Sequence, residues 1–235
     1  MKFKTRKLTQ KNIKRDYCLI IALEKKHKWG QKRMRKRALA LTSLIITTFI
    51  VMGGCSGPPM SKKKIIEHIN NDTLPVENVI VAYAYDINDL TIKVGEADYV
   101  FVGEVKDYIK TKYNYVDETP RTFYSVRVIE NIKGELVQDK DIEVRKTGGI
   151  DKKGKKILVY QSDYLPKFNR YYIFSVYANP KGFITAVGPN SSILLQDKEN
   201  YQDSAEYKKI ISAYQNQKEI DRKRYQSKYD KNYKK

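Results

Sequence analysis

Apolar and polar residues alternate with a period of two over much of the chain between residues 77 and 197. Tyr124, Val126 and Val128, for example, share one side of a run that begins at residue 123. This periodicity is typical of β-strands that bury one face. Short apolar runs predict strands over residues 79–83, 99–105, 123–132, 142–145, 157–160, 171–177, 183–187 and 192–195.

Turn-forming residues separate the predicted strands. Gly134 and Gly148-Gly149 follow two of them, and Gly103 indicates a bulge or a sharp bend inside another. Six to eight short strands with such punctuation predict an all-β domain that is closed or nearly closed. The 121 residues from 77 to 197 are enough to bury a core without disulfides.

Helical segments lie on both sides of the predicted strands and once between them. A short helix is predicted over residues 61–71, before Pro75. A helical turn is predicted over residues 86–95, with Asp86 as its cap and a glycine at its end. Residues 203–223 have the composition of a longer helix, so one helix is expected to follow the β domain.

The chain carries 46 Lys and Arg against 27 Asp and Glu, a net charge of +19 that is concentrated at its ends. Residues 1–37 hold 15 bases and two acids, and residues 38–54 carry no charge. Residues 55–221 hold 24 bases and 24 acids, whereas residues 222–235 hold seven bases and one acid. Because the central domain is neutral, the overall charge does not indicate nucleic acid as its partner.

The basic end of the chain, from residue 198 onward, is predicted as a helix and a tail. Tyrosines recur at every fourth position of the tail, which would place their rings on one face if the helix continued. We expect the tail to be solvated instead. These tyrosines are Tyr225, Tyr229 and Tyr233.

The N-terminal residues 1–54 have the layout of a secretory signal. A basic run precedes the uncharged and mostly apolar segment 38–54, which would extend about 25 Å as a helix and is short for a membrane span. The basic region is long for a signal, and a start at Met34 would give ordinary proportions. The alternative is a cytoplasmic basic arm that is removed with the signal.

The end of this segment resembles the lipobox of bacterial lipoproteins. Met52, Gly53 and Gly54 precede Cys55, the one cysteine beyond the apolar stretch. The resemblance implies a diacylglyceryl group on Cys55, with acyl chains such as palmitate, and a location on the outer face of the cell membrane. Two acyl chains give stable anchoring. Residues 55–76 would then be a tether between the lipid and the domain.

The strand and turn pattern resembles the netrin/TIMP-like OB barrels of secreted bacterial domains. This resemblance implies a small closed or partly open OB-like barrel with a C-terminal helix. Metalloprotease inhibition is not carried over, because a lipidated Cys55 cannot serve as a free N-terminal zinc ligand and the disulfides of that family are missing. The residues that carry the resemblance are Ala97-Asp98-Tyr99-Val100-Phe101-Val102-Gly103-Glu104-Val105, Tyr124-Ser125-Val126-Arg127-Val128, Ile132-Lys133-Gly134, Ile142-Glu143-Val144, Gly148-Gly149 and Tyr172-Ile173-Phe174.

The residue inventory offers no catalytic constellation. His68 is the one histidine after Cys55, and it lies in the tether, away from any nucleophile. We therefore expect no catalytic residue, no metal site and no cofactor. The leading hypothesis is a non-enzymatic binding or interaction module of the cell envelope. The alternatives are an envelope hydrolase that uses carboxylates without histidine and, least favoured, an OB-type nucleic-acid binder.

A cluster of basic residues around a predicted hairpin is the candidate contact for an anionic polymer. Such a cluster, beside the glycine pair 148–149, would suit wall polymer or lipid headgroups, whereas glycines without a following helix do not form a phosphate loop. The expected partners are therefore the membrane, through the lipid, and an anionic wall polymer or another envelope protein. The candidate residues are Arg145, Lys146, Lys152, Lys153, Lys155 and Lys156.

Overall fold

The fold is built mainly from β-strands with a few short helices. The structure is a computed structural model, and it describes residues 60–116 and 118–234. The expectations for the signal segment 1–54, the start at Met34 and the lipobox with Cys55 lie outside these residues. The elements in chain order are α1 (Lys62–Asn70), β1 (Val76–Val79), α2 (Leu90–Glu96), β2 (Tyr99–Tyr113), β3 (Pro120–Lys133), β4 (Asp141–Thr147), β5 (Gly149–Ile150), β6 (Ile157–Tyr160), β7 (Tyr171–Ala178), β8 (Ile184–Ala186), β9 (Ser192–Leu195) and α3 (Ala205–Gln215).

Five strands of the larger sheet are hydrogen-bonded in a closed ring. Strand β2 pairs with β3, β3 with β4, β4 with β8, β8 with β7, and β7 returns to β2. The β4–β8 pairing is parallel, whereas the other four are antiparallel. Strand β9 extends this sheet beside the first half of β7. The predominantly β prediction is therefore confirmed.

A smaller sheet joins the segment before the ring to the predicted basic hairpin. Strand β6 lies in its middle, parallel to β1 and antiparallel to β5. The sequence places the first strand at residues 79–83, but it is observed at Val76–Val79. That placement was wrong because the partner strand β6 ends at Tyr160, which is paired with Val79.

Strand β2 is buried on both faces, which explains its continuous apolar run. Phe101 and Val105 point into the core inside the ring, together with Tyr124 of β3 and Phe174 of β7. Val100 on the other face packs into a second core, to which α2 and α3 contribute. The pairing of β2 with β3 shifts register between Val102 and Gly103, so the predicted bulge is confirmed.

A helix is present in each of the three predicted regions, but the cap predicted for the second helix was wrong. Helix α1 lies within the predicted range 61–71, and Ser61 caps it, since its side chain accepts from the backbone N–H of Lys64. Helix α2 is capped by Asp89 rather than Asp86, because the Asp89 side chain accepts from Thr91 and Ile92. Asp86 instead accepts from the N–H of Asn88 in the preceding turn. The glycine at position 95 lies inside α2 and does not end it.

The expectation of a solvated tail was also wrong. Helix α3 ends at Gln215, well before the predicted residue 223. The following chain crosses back to α2 and β2, where Arg224 donates to the carbonyl of Gly95 at 2.6 Å. Ser227 is fully buried, and its backbone N–H donates to the hydroxyl of Tyr99 at 2.8 Å. Hydrogen bonds between residues far apart in the sequence, including charge-assisted ones from Arg224, therefore attach the basic tail to the domain.

Candidate functional site

Basic and aromatic side chains form a row across the outer face of the ring. Lys110 of β2 is paired in register with Phe123 of β3, which is paired with Arg145 of β4. The Lys110 ammonium lies 5.1 Å from the centroid of the Phe123 ring. The Lys112 ammonium, two residues further along the same strand, lies 5.9 Å from that centroid. The ring of Phe123 is thus covered by cations.

The row continues beyond β4 through Arg145. Its guanidinium carbon lies 5.2 Å from the centroid of Phe123 and 3.8 Å from that of Phe183, at the turn before β8. The ammonium of Lys228, in the docked tail, lies 4.0 Å from the centroid of Phe183. Cations and rings therefore alternate over five segments of the chain. We call this surface the cation–aromatic strip: Lys110, Lys112, Phe123, Arg145, Phe183 and Lys228.

The strip has an excess of positive charge. Glu143 lies beside it and pairs with Arg145 at 3.2 Å and with Lys110 at 3.8 Å. Among the described residues, Glu143 is the one carboxylate that pairs with any of the four cations of the strip. Each cation–π contact at an exposed position contributes about 0.5–1 kcal/mol, which orders the cations without neutralising them. A negatively charged ligand is thus attracted electrostatically. Its apolar groups can contact the half-buried ring of Phe183, whereas Phe123 is only 5% exposed.

Lys146 was wrongly predicted as a surface contact. Its side chain is 1% exposed, as is that of Asp163, with which it pairs at 2.6 Å. It also donates to the hydroxyl of Ser191 at 2.8 Å and to the carbonyl of Gly188 at 3.2 Å. A signal in the sequence was available, because Lys146 continues the alternation of Ile142 and Val144 onto the buried face of β4.

The hairpin between β5 and β6 carries the other predicted lysines. Lys152 pairs with Glu118 at 2.6 Å, and Lys156 pairs with Glu77 at 2.7 Å. Both pairs are exposed, so each contributes about 1 kcal/mol or less. Lys153 and Lys155 are exposed and have no ion pair within the described residues. The predicted cluster is therefore divided: Arg145 belongs to the strip, Lys146 is buried, and the hairpin presents its own charges.

Sequence reasoning missed most of the strip. The alternation in β2 places Lys110 and Lys112 on one face, and this is a usable signal. Nothing in the sequence indicates that Phe183 stacks on Arg145 or that Lys228 reaches Phe183. These contacts depend on the parallel β4–β8 pairing and on the docking of the tail, where the N–H of Lys228 donates to the carbonyl of Gly182 at 2.9 Å.

A cavity of about 450 Å³ between α1, β6 and the segment before β7 contains two carboxylates. Asp163 is held there by Lys146 at 2.6 Å, and Asp72 at the rim is paired with Lys167. Lysine ammonium groups therefore already occupy both carboxylates of this cavity. The other lining residues are mostly apolar or aromatic.

The described part of the chain gives little material for a metal centre or a membrane-spanning helix. Across residues 60–116 and 118–234, no group of three or more His, Cys, Asp and Glu side chains is placed to hold a metal ion. His68 lies on α1, where its ring nitrogen contacts the hydroxyl of Thr73 at 2.5 Å. None of the helices formed by these residues is long and apolar enough to cross a bilayer.

Comparison with known proteins does not assign the chain to a group. No protein-family model matches the sequence, and no curated protein is similar to it. Function must therefore be inferred from the residues and their geometry.

Proposed function

We propose that this protein is a lipid-anchored module of the bacterial cell envelope that binds an anionic polymer. The cation–aromatic strip is the observation that carries the proposal, because it combines an excess of positive charge with the half-buried aromatic ring of Phe183. A non-enzymatic role is supported by the interior of the ring, which is filled with apolar side chains. It is further supported by Asp72 and Asp163, both of which are bound to lysines.

We also propose that the ring of strands is an OB-like barrel. The order β2–β3–β4–β8–β7 with a return to β2 supports it, since an OB barrel is a five-stranded, partly open ring. Ligands of OB folds bind across the outer face of the central strands. The cation–aromatic strip runs over β3 and β4, so its position is consistent with such a ligand surface. Netrin/TIMP-like ancestry remains part of this proposal.

The polymer-binding proposal is tested with purified poly(glycerol phosphate) as the probe and neutral dextran as its control. The full chain, in neutral detergent micelles, is compared with a Lys110→Met, Lys112→Met variant by titration calorimetry. We expect the affinity to fall about thirtyfold, since each of the two lysines contributes about 1 kcal/mol near an anionic surface. We also expect the dependence on salt to become shallower by about two ions.

The matched control removes the same charge from a different surface. Lys208→Met with Lys209→Met neutralises two exposed lysines of α3 and should leave the affinity nearly unchanged. Equal losses in the two double variants would mean that the polymer responds to net charge alone, and the strip would then be rejected as the binding surface. Lys153→Met with Lys155→Met measures the part played by the hairpin.

The lipid anchor is proposed from the sequence of residues 34–55. A basic start, an uncharged apolar segment and Met52-Gly53-Gly54-Cys55 support cleavage before Cys55 and its diacylation. The intact mass of the protein recovered from membranes should equal a chain that starts at Cys55 plus a diacylglyceryl group. An unmodified chain that keeps residues 1–54 would refute the anchor and restore the basic arm to any account of function. A Cys55→Ala variant should remain uncleaved.

A further inference from the structure

A second, smaller cavity lies beside α2, away from the cation–aromatic strip. Its volume is about 200 Å³, and it is bounded by α2, by the end of β7 and by the chain segments around residues 83–87 and 187–189. Sites for drug-sized ligands have roughly 300–1,000 Å³, so this cavity suits a smaller molecule. Its apolar wall includes Ile87 and Pro189, and its polar groups come from Tyr83, Lys93, Glu96 and Tyr177.

The cation of this cavity is a buried lysine with no carboxylate partner in the part of the chain that the structure describes. Lys93 is 6% exposed, and its ammonium donates to the carbonyl of Val187 at 2.9 Å and to the hydroxyl of Tyr177 at 3.2 Å. An ammonium has three donors, so one is left for a ligand. Lys93 has no ion pair within the described residues. Burial, aided by the charge of Lys146, lowers its pKa to about 8, which leaves it mostly protonated at neutral pH.

A second donor of the cavity is also without a partner. The hydroxyl of Tyr83 is buried and has no hydrogen-bond partner among the residues that the structure describes. Leaving such a group unpaired destabilises the protein, and a ligand that accepts its hydrogen bond removes this penalty. Lys93 and Tyr83 together offer two free donors at one small site, an arrangement that suits a carboxylate.

The opposite charge is supplied on the same cavity wall. Glu96 accepts a hydrogen bond from the hydroxyl of Tyr177 at 2.6 Å, and Tyr177 in turn accepts from Lys93. Tyr177 therefore holds the lysine and the carboxylate on either side of its hydroxyl. A simple anion would be attracted by Lys93 but repelled by Glu96, whereas a ligand with both charges is attracted by each.

We propose that this cavity binds a small zwitterion with an apolar side chain, that is, a free α-amino acid. Lys93 and Tyr83 bind its carboxylate, Glu96 binds its ammonium group, and the side chain contacts the apolar wall around Ile87 and Pro189. This proposal is independent of polymer binding, because none of these residues belongs to the cation–aromatic strip.

In the test, the full chain in detergent is titrated with L-leucine, and binding is measured by titration calorimetry. N-acetyl-L-leucine lacks the ammonium charge and L-leucinamide lacks the carboxylate, so each removes one half of the zwitterion. We expect L-leucine to bind at millimolar concentrations or below, and both derivatives to bind at least about tenfold more weakly, since a lost charged hydrogen bond is worth about 1.5–3 kcal/mol.

Tyr83→Phe is the sharpest variant because it removes only the unpartnered hydroxyl. The apo protein should be as stable as the wild type or more so, whereas the affinity for L-leucine should fall about tenfold. Glu96→Gln should abolish the preference for L-leucine over N-acetyl-L-leucine. The matched control Lys63→Met, at an exposed position of α1, should bind as the wild type does.

Three results would overturn the proposal. They are the absence of leucine binding at millimolar concentrations, equal affinities for leucine and its two derivatives, and an unchanged affinity in Tyr83→Phe. Loss of binding in Tyr83→Phe with wild-type thermal stability cannot come from misfolding, so that combination supports the site directly.

Discussion

The Lys146–Asp163 pair shows how one side chain can reverse an interpretation based on residue type. Burial lowers the pKa of Lys146, while the charge and hydrogen bonds of Asp163 act in the opposite direction. The pair is completely enclosed, and its remaining donors are satisfied by Ser191 and Gly188. Such a satisfied pair contributes little by itself, but removal of one partner leaves an uncompensated buried charge.

Single substitutions in this pair should therefore be severe. We expect Lys146→Met or Asp163→Asn to lower the free energy of unfolding by about 3–5 kcal/mol, measured by urea denaturation. The double variant Lys146→Met, Asp163→Asn should cost less than the sum of the two single variants. Lys152→Met, which breaks an exposed pair with Glu118, should cost about 1 kcal/mol or less. Similar losses of unfolding free energy in Lys146→Met and Lys152→Met would contradict the buried Lys146–Asp163 pair.

At the scale of elements, the contact between α2 and the chain after α3 fixes the second core. Val94 of α2 and Ile210 of α3 are fully buried in that core. The N–H of Lys218 donates to the carbonyl of Thr91, which holds the chain that leaves α3 against α2. A Cβ atom at Gly95 would lie only 1.9 Å from the carbonyl oxygen of Lys218. This glycine is therefore required by close approach and does not mark a helix end.

Gly95→Ala separates helix propensity from tertiary packing by the sign of its effect. Propensity alone predicts a gain of about 0.5–1 kcal/mol in the free energy of unfolding. The contact with Lys218 predicts a loss of about 1–3 kcal/mol, because the neighbouring backbone must move. We expect a loss in thermal or urea unfolding. The control Ser212→Ala, at an exposed position of α3, should raise the free energy of unfolding by a few tenths of a kcal/mol. A comparable gain in Gly95→Ala would refute the close contact between Gly95 and Lys218.

At the scale of the whole molecule, the basic tail is part of the domain. Arg222 pairs with the nearly buried Asp98 at 2.6 Å, while Asp98 also accepts from the N–H of Ala178 at 2.9 Å. The tail thereby connects α2, β2 and β7. Lys228 then joins the cation–aromatic strip, so the terminus that carries excess charge also contributes to the proposed binding surface. Folding therefore places Lys228, which the sequence assigned to a solvated tail, beside Phe183.

The sequence by itself determined the strands and their buried faces. A period of two fixes which side chains of β3 and β4 face inward, and a run that is apolar on both faces identifies β2 as enclosed. Both signals are local, because neighbouring residues alternate sides whatever the partner strand is. The same reasoning placed Ser61 at the start of α1. The resemblance to a lipobox at Met52–Cys55 likewise rests on local sequence, and it is tested by the intact mass of the protein recovered from membranes.

Only the tertiary structure decided which distant residues meet. The parallel β4–β8 pairing closes the ring, and it brings Phe183 against Arg145 across 38 positions of sequence. The partner of Lys146, the docking of the tail and the cavity beside Lys93 depend on contacts of the same kind. Alternation specifies the side of a strand and not its neighbour, because hydrogen bonds between strands are alike for every residue type. Residues that share charge or apolar character therefore appear interchangeable in the sequence until folding assigns their partners.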